Sequence, residues 1–350
     1  MGGGVRSSST ASLLRAAWLN GIAGIPSPLI LLLEPSERCN ARCPFCYHWR
    51  EAGPGELELD EILRVLEEAW ELGCRFLYLS GGEPTLHPDR LEILAAARRF
   101  GYEISMTTNG SRLTEELPRL APLLDALTVS IDRLGIEQDR LRGVPGLFAS
   151  AVDGLLLASK LGLSSRINMN LYEANLGEVR GMAELARSVG AGLHVRLLTR
   201  ESSALDIPAF ELPRAMEAAS MLLDLRRELP GALLTPEPYL FLLSRGKPFR
   251  CRPLSLLLPV DAQGRVYLAC PRHEGTKDRV AGNVREASLS DIWTSAAAWR
   301  FREEAASCRP GVDCYSSCIL DVSLLAGLSG ASIAAQLLER GLLGFFRGER

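Results

Sequence analysis

Three cysteines near the start of the chain have the residue type and spacing for metal chemistry. Cys39, Cys43 and Cys46 follow the pattern C-x₃-C-x₂-C on one short segment. Thiolates bind iron and zinc, and zinc or a cubane iron–sulfur cluster normally takes four protein ligands. Three thiolates without an adjacent fourth predict a 4Fe–4S cluster with one open iron. A zinc site that takes His48 as fourth ligand is the alternative.

The elements that position this loop alternate between short apolar runs and longer amphipathic segments. In the segment 59–72, Ile62, Leu63, Leu66 and Trp70 share a face at helical spacing, which predicts a helix. Strand–helix alternation predicts parallel strands with right-handed crossovers. Six such units predict an α/β fold with a partial (β/α)6 parallel barrel, where chemistry gathers at the C-terminal strand ends. The predicted strands are Leu29–Leu33, Arg75–Ser80, Tyr102–Thr107, Ala126–Ile131, Arg166–Leu171 and Gly192–Leu198.

Polar segments follow the second, third and fourth predicted strands. They are Gly81-Gly82-Glu83-Pro84, Thr107-Thr108-Asn109-Gly110 and Ser130-Ile131-Asp132. Each segment alone fits a turn. The three segments occur in this order at successive strand ends, alongside the cysteine loop with the aromatic Phe45 before its third cysteine. Taken together, these features resemble the motifs of the radical SAM superfamily. The resemblance covers about residues 29–230.

This resemblance implies a cofactor site and a reaction. Cys39, Cys43 and Cys46 are expected to hold a 4Fe–4S cluster whose open iron binds S-adenosylmethionine. An electron donor such as ferredoxin or flavodoxin reduces the cluster, S-adenosylmethionine is cleaved, and the 5′-deoxyadenosyl radical abstracts hydrogen from a substrate. The resemblance names no catalytic acid or base. The residues expected around S-adenosylmethionine are Gly81, Gly82, Glu83 and Pro84 at its amino group, and Thr107, Thr108, Asn109, Ser130 and Asp132 at its ribose and carboxylate.

Five more cysteines lie in the C-terminal third of the chain. Cys251 and Cys270 bracket a predicted hairpin formed by 254–260 and 265–269, and Cys308, Cys314 and Cys318 follow it. The segments 261–271, 281–284 and 289–293, with the stretch 142–146, resemble the SPASM or twitch extension of radical SAM enzymes. The chain departs from that pattern at Ala305, where a cysteine is expected, and it has no cysteine after Cys318.

The extension therefore implies one auxiliary 4Fe–4S cluster, because five cysteines are too few to ligate two complete clusters. Its expected ligands are Cys251, Cys270, Cys314 and Cys318. Cys308 either replaces one of them or stays free. A tetrahedral zinc site of four cysteines is the alternative, since thiolates suit both metals.

Changes in pattern along the chain predict four parts. Pro230 and Gly231 mark a boundary after the sixth strand–helix unit. A later helix is predicted to begin at Ser290, whose side chain would cap it, and to end at Glu304. The four parts are an N-terminal helical segment at 1–28, the radical SAM core at 29–230, an auxiliary-cluster domain at 231–318 and a C-terminal amphipathic helix at 319–350.

The composition is that of an ordinary globular protein, with 47% hydrophobic and 23% charged residues. A formal charge of −3 without a long basic run gives no reason to expect a nucleic-acid partner. Nine cysteines in separate groups favour metal ligation in a reducing cytoplasm over disulfides. Residues 322–338 carry no charge. They predict a helix packed on the barrel or, as the alternative, an interfacial helix that gives peripheral membrane contact through 322–350.

The substrate is less constrained than the cofactors. A small-molecule or lipid substrate is preferred, because no additional domain for delivering a peptide is evident. Maturation of a ribosomally made peptide or protein is the alternative. A non-catalytic iron–sulfur or zinc protein is the alternative from another class, but it would not need the segments 81–84 and 107–110. Arg166, Asn168, Asn170 and Arg196 are predicted to face either the barrel interior or an open sheet edge.

Overall fold

The computed structural model describes residues 25–198, 209–247, 253–267 and 279–307, together with Arg15, Leu19 and Ile207. Several predictions concern other parts of the chain. The helix at 319–350 and most of the segment 1–28 lie outside the described residues. So do all five cysteines assigned to the auxiliary cluster, namely Cys251, Cys270, Cys308, Cys314 and Cys318. The auxiliary ligands therefore stay predictions.

Nine described strands form one sheet in the order β6-β5-β4-β3-β2-β1-β7-β8-β9. Strands β1 to β7 pair in parallel, while β8 and β9 are antiparallel. The six predicted parallel strands are confirmed, and the fold is an α/β partial barrel. The strands are β1 Ile30–Leu33, β2 Phe76–Leu79, β3 Glu103–Thr108, β4 Ala126–Ser130, β5 Ser164–Leu171, β6 Gly192–Leu197, β7 Leu257–Val260, β8 Arg265–Tyr267 and β9 Val280–Asn283.

Helices connect the parallel strands and cover one face of the sheet. Three 3₁₀ turns, Pro84–Leu86, Ala121–Leu123 and Glu173–Glu178, accompany them. The described helices are α1 His48–Glu51, α2 Leu59–Leu72, α3 Arg90–Phe100, α4 Leu113–Leu120, α5 Ile136–Arg142, α6 Leu147–Lys160, α7 Val179–Ser188, α8 Leu212–Glu228, α9 Glu237–Ser244, α10 Pro253–Leu256, α11 Leu289–Thr294 and α12 Ala296–Ser307.

Helix α2 has the bounds that its sequence pattern predicts. A reciprocal capping box between Glu58 and Glu61 starts it, with Glu58 N–H donating to the Glu61 carboxylate at 2.8 Å. Gly73, at φ 115°, ends it in the left-handed region that favours glycine. On its apolar face, Ile62 and Leu66 are fully buried, and Leu63 and Trp70 pack against the core while partly buried.

Alternation along each strand separates the core from the opposite, concave face of the sheet. On β5, Ile167 and Met169 belong to the hydrophobic core that packs against the helices. Arg166, Asn168 and Asn170 alternate with them and therefore point to the concave face. The strand's C-terminal end thus delivers polar side chains to the side on which a ligand can bind.

The predicted hairpin is present, but its first strand is shorter than predicted, and that strand has a second partner. Residues 254–256, predicted as strand, belong to helix α10, and β7 begins at Leu257, while residues 268 and 269 of the predicted second strand lie outside the described residues. Val260 on β7 pairs antiparallel with Val266 on β8, as predicted. Strand β7 also pairs in parallel with all four residues of β1, so it continues the sheet of the core. The division of the chain at residue 230 remains a prediction. The β1–β7 pairing joins residues from both sides of that boundary.

The predicted helix from Ser290 to Glu304 consists of two helices. The first, α11, is capped by Ser288 rather than Ser290, because Oγ of Ser288 accepts the Asp291 N–H at 3.1 Å. Ser295 has extended backbone and interrupts the run. Its hydroxyl accepts the Ala298 N–H at 3.2 Å and thereby caps α12.

In the described part of the chain, no individual helix is long and apolar enough to cross a membrane. Helices α5 and α6 meet the same length and composition criterion only when taken together, and they are bent by 109° relative to each other.

Candidate active site

The three cysteines of the first group lie on the loop that follows β1, and their thiols are free. Burial is the main cause that raises the pKa of Cys39, Cys43 and Cys46, the last to about 12. Charge on Cys43 and Cys39 raises the pKa of Cys46 further, so the three sulfurs are close enough to interact. Crowded, buried thiolates need bound positive charge, which iron supplies. This donor set fits a 4Fe–4S cluster.

His48, the proposed fourth ligand of the zinc alternative, has other partners. Its Nδ1 is hydrogen-bonded with the Glu37 carboxylate, and its Nε2 lies 3.7 Å from Oε1 of Glu34. Among the described residues, Glu34, Glu37 and His48 form a group in which one metal-binding atom of each residue lies within 4.8 Å of the others. The arrangement therefore does not support a zinc ion shared between His48 and the three cysteines.

Two glycines hold the loop after β2 against the cysteine loop. The Gly82 and Glu83 N–H groups donate to the carbonyls of Ser36 and Arg38, each at 2.8 Å. A Cβ on Gly82 would lie 2.2 Å from the Arg38 carbonyl oxygen, and one on Gly81 would lie 2.6 Å from that of Ser36. Only glycine permits such backbone contact. The two predicted motifs are therefore in direct contact.

Glu83 joins the segment after β2 to the segment after β3. Its carboxylate is almost fully buried. Oε1 accepts from the N–H and hydroxyl of Thr85, at 3.1 and 2.7 Å, and from the hydroxyl of Thr108 at 2.7 Å. Oε2 accepts the Asn109 N–H at 2.7 Å. Oε2 retains lone-pair capacity, so the expected contact with an ammonium group is compatible with this geometry.

Asn109 reaches the cysteine loop itself. Its Nδ2 donates to Oδ1 of Asn40 at 2.8 Å and lies 3.9 Å from Sγ of Cys39. Its Oδ1 accepts the Ser111 N–H at 2.8 Å, which fixes the orientation of the amide. An N–H directed at sulfur favours the thiolate, and this contact lowers the pKa of Cys39 against the larger effect of burial.

Asp132 is held by a buried arginine. Nε and Nη2 of Arg142 donate to its Oδ2 at 2.9 and 2.6 Å, and the Asn170 N–H donates to its Oδ1 at 2.9 Å. The charge on Arg142 also lowers the pKa of Cys43, against the larger effect of burial. The Arg142 carbonyl accepts the Arg42 N–H at 2.7 Å. Asp132 therefore contacts the cysteine loop through Arg142.

Two buried amides near Asp132 are absent from the sequence-based predictions. Oε1 of Gln138 accepts the Asp132 N–H at 3.0 Å, and its Nε2 donates to the Ser130 carbonyl at 2.9 Å. Nδ2 of Asn175 donates to the carbonyls of Asp132 and Asn170, at 2.8 and 2.9 Å. They fix the backbone after β4. Isolated Gln and Asn residues give no sequence signal for such a role.

The remaining predicted site residues lie on or near the concave face. The Thr107 hydroxyl is hydrogen-bonded with that of Tyr78 at 2.6 Å. Ser130 pairs in register with Asn168 on β5. Pro84 is buried and starts the 3₁₀ turn after Glu83. The structure thus brings the predicted segments together at the C-terminal ends of four neighbouring strands.

The concave face of β5 and β6 carries further polar side chains. Arg166 Nε donates to the Thr128 hydroxyl at 2.8 Å. Nδ1 of His194 lies 3.0 Å from Oδ1 of Asn168. Burial, followed by the charges of Arg166 and Arg196, lowers the pKa of His194 to about 3. The imidazole is therefore neutral at physiological pH.

Comparison with known proteins decides the family. Residues 33–186 match the Radical SAM superfamily, and residues 251–316 match an iron–sulfur cluster-binding domain, SPASM. The PqqA peptide cyclase of Gluconobacter oxydans (strain 621H) is 30% identical over 284 residues, which cover 77% of each chain. The chain belongs to the radical SAM superfamily.

Two further proteins resemble this radical SAM enzyme. The probable GTP 3′,8-cyclase of Thermococcus kodakarensis is 38% identical over 170 residues, which cover 47% of this chain and 55% of that protein. The structure of Streptococcus suis SuiB bound to precursor peptide SuiA superposes with a TM-score of 0.64 at 18% identity. It covers 86% of this chain and 70% of that one, and at this identity the likeness concerns the fold.

The predicted family, fold class and cofactors are confirmed. This radical SAM enzyme uses a 4Fe–4S cluster and S-adenosylmethionine, and it carries a SPASM domain. The assignment of individual residues to these cofactors stays a prediction, supported by the contacts described above.

Proposed function

We propose that this radical SAM enzyme modifies a peptide. The supporting observation is the alignment with the PqqA peptide cyclase, which covers 77% of both chains. The alignment with the GTP cyclase covers about half of each. The more extensive likeness favours the peptide alternative over the small-molecule or lipid substrate that the sequence alone suggests.

We infer that Cys39, Cys43 and Cys46 hold the 4Fe–4S cluster. S-adenosylmethionine lies against Gly81–Pro84 at its amino group, with Thr107, Thr108, Asn109, Ser130 and Asp132 around the remainder. Bound together, the two cofactors supply a 5′-deoxyadenosyl radical that removes hydrogen from the substrate.

In this proposal, the protein's own residues position and shield these cofactors. Gly81 and Gly82 let two backbone segments touch and thereby fix the cysteine loop. Asn109 directs an N–H at Cys39, and Arg142 places a buried positive charge near Cys43. Such preorganisation keeps the reacting atoms oriented and excludes water from the site.

The remaining parts of the proposal concern the extension and the partners. One auxiliary 4Fe–4S cluster is held by Cys251, Cys270, Cys314 and Cys318, with Cys308 as a substitute ligand. Ferredoxin or flavodoxin donates the electron. The enzyme acts in the cytoplasm, with peripheral membrane contact through 322–350 as the alternative to a helix packed on the barrel.

The test is anaerobic incubation of the reconstituted enzyme with dithionite, S-adenosylmethionine and synthetic peptides encoded by short reading frames beside its gene. Release of 5′-deoxyadenosine together with a change in peptide mass is expected. If 5′-deoxyadenosine is released while the peptide stays unchanged and an added lipid or metabolite is altered instead, the peptide proposal is contradicted.

The matched control is a variant in which Cys39, Cys43 and Cys46 are all alanine. It should release no 5′-deoxyadenosine and retain about half of the iron, because the auxiliary cluster keeps its own ligands. Zinc in that variant, instead of iron, would contradict the auxiliary iron–sulfur assignment.

A further inference from the structure

The buried ion pair of Arg142 and Asp132 places two opposite charges beside the cysteine loop. We propose that Arg142 raises the reduction potential of the 4Fe–4S cluster and that Asp132 opposes this effect. This role rests on the proposed function, because it takes Cys39, Cys43 and Cys46 as the ligands of that cluster.

Arg142 lies directly against the cysteine loop. Its carbonyl accepts the N–H of Arg42, the residue before Cys43, at 2.7 Å. Its guanidinium carbon, Cζ, lies 5.8 Å from the centroid of the Phe45 ring. Phe45 is the residue before Cys46. A positive charge is therefore fixed beside the segment that carries two of the three proposed ligands.

The guanidinium group is oriented and shielded from solvent. The side chain of Arg142 is 7% exposed and that of Asp132 is fully buried. Nε and Nη2 of the arginine both donate to Oδ2 of the aspartate, at 2.9 and 2.6 Å, which fixes the plane of the guanidinium group. An arginine stays charged at any ordinary pH. Buried charges act on their neighbours more strongly than charges in water do.

The two charges of the pair act unequally on the cysteines. Burial has the largest effect on the pKa of Cys43, and next to it Arg142 lowers that pKa by more than Asp132 raises it. Burial also has the largest effect on the pKa of Cys46, which Arg142 again lowers. The pair therefore leaves a net positive potential at Cys43.

The same positive potential favours an added electron. Reduction makes an iron–sulfur cluster and its thiolates more negative, and the reduction potential depends on nearby charge and on solvent exposure. A charge that stabilises a thiolate thus also stabilises the reduced cluster bound through it. Arg142 thereby eases electron transfer from the proposed donor, ferredoxin or flavodoxin.

The test is a redox titration of the reconstituted enzyme, followed by electron paramagnetic resonance. S-adenosylmethionine is left out, because Asp132 is expected to contact it. The signal to follow is the one that disappears when Cys39, Cys43 and Cys46 are all alanine. Arg142→Gln should lower the midpoint potential and Asp132→Asn should raise it. Each change should alter the reduction equilibrium by about tenfold, which is about 59 mV for one electron.

The opposite signs separate an electrostatic effect from a structural one. Each substitution leaves one buried charge unpaired, so both should destabilise the fold. Arg142→Lys keeps the charge and should stay closer to the unaltered potential than Arg142→Gln does. Arg140→Gln is the matched control, because it removes a positive charge from an exposed position on the same helix and should leave the potential unchanged.

The combined variant, Arg142→Gln with Asp132→Asn, leaves neither charge unpaired. Its potential should lie between those of the two single variants. If Arg142→Gln binds no iron, the combined variant carries the test, since its potential must then lie below that of Asp132→Asn.

Two results would overturn the proposal alone. They are shifts of the same sign in Arg142→Gln and Asp132→Asn, and unmoved potentials in both variants while the signal still requires the three cysteines. A signal that persists after replacement of all three cysteines would instead overturn the ligand assignment within the proposed function, and the role of Arg142 with it.

Discussion

Arg142 donates from both Nε and Nη2 to one oxygen of Asp132, and both side chains are almost fully buried. The pair joins helix α5 to the segment after β4, and the carbonyl of the same arginine accepts the Arg42 N–H. Removing one member of a buried ion pair leaves the other charge uncompensated, which is costly. This contact therefore stabilises both the end of β4 and the cysteine loop.

Arg142→Gln is expected to lower the free energy of unfolding by about 3–5 kcal/mol. Urea titration of the reconstituted protein, with iron content measured on the same samples, checks this. Arg140→Gln on the same helix is the control, because Arg140 is exposed and pairs only at the surface, where such contacts contribute about 0–1 kcal/mol. Equal effects of the two substitutions would contradict the role assigned to the pair.

Gly82→Ala is expected to displace the cysteine loop, since its Cβ would lie 2.2 Å from the Arg38 carbonyl oxygen. Release of 5′-deoxyadenosine should fall by about tenfold or more, because small misplacements of reacting groups have large effects on rate. Gly177→Ala is the matched control, as nothing lies within 4 Å of a Cβ there and neither glycine has a positive φ. Undiminished product release by Gly82→Ala would refute the close-contact argument.

Glu83→Gln replaces a carboxylate oxygen by an amide that donates, although the Thr85, Thr108 and Asn109 groups that contact this carboxylate all donate to it. A loss of about 1–3 kcal/mol of stability is expected, together with weaker binding of S-adenosylmethionine. Chemical unfolding and equilibrium dialysis measure the two effects. Glu92→Gln, at an exposed position on α3, should change neither. Wild-type stability and cofactor affinity in Glu83→Gln would contradict the joining role.

The neutral His194 predicts a pH dependence of stability. Its folded pKa is about 3, below the ordinary value of 6.5, so the unfolded chain binds a proton between these pH values and the folded chain does not. Stability is thus fully present above pH 6.5 and is lost as pH falls toward 3. The loss approaches about 1.4 kcal/mol for each pH unit.

Urea midpoints between pH 7.5 and 4.5 test this pH dependence. His194→Gln should show a shallower decline than the unaltered protein, because glutamine does not titrate. Burial also lowers the pKa of His87, so His87→Gln is the parallel variant for that contribution. Identical pH profiles for His194→Gln and the unaltered protein would mean that His194 is not kept neutral by folding.

The sequence predicts the elements of the core well because their signals are local. Helix α2 has the predicted bounds, since its apolar spacing and Gly73 fix both face and end. The motifs fall at successive ends of parallel strands, and such ends necessarily share one edge of the sheet. Cys74, which belongs to neither group of cysteines, is fully buried in the core beside these elements.

The features that the sequence does not predict depend on contacts between distant residues. The Arg142–Asp132 pair forms because the fold places α5 next to both the segment after β4 and the cysteine loop. Gln138 and Asn175 form hydrogen bonds with buried backbone groups near this pair. Strand β7 contains Pro259, which argues against a central strand. It nevertheless joins β1, and β8 pairs with it at Val260.

The pairing of β7 with β1 also affects how the chain folds during synthesis. Strand β1 ends at residue 33 and β7 begins at residue 257, so one edge of β1 stays open until most of the protein has left the ribosome. An open edge beside buried leucines favours association with other chains. Nascent chains that stall before residue 257 should therefore depend on chaperones more than complete ones do.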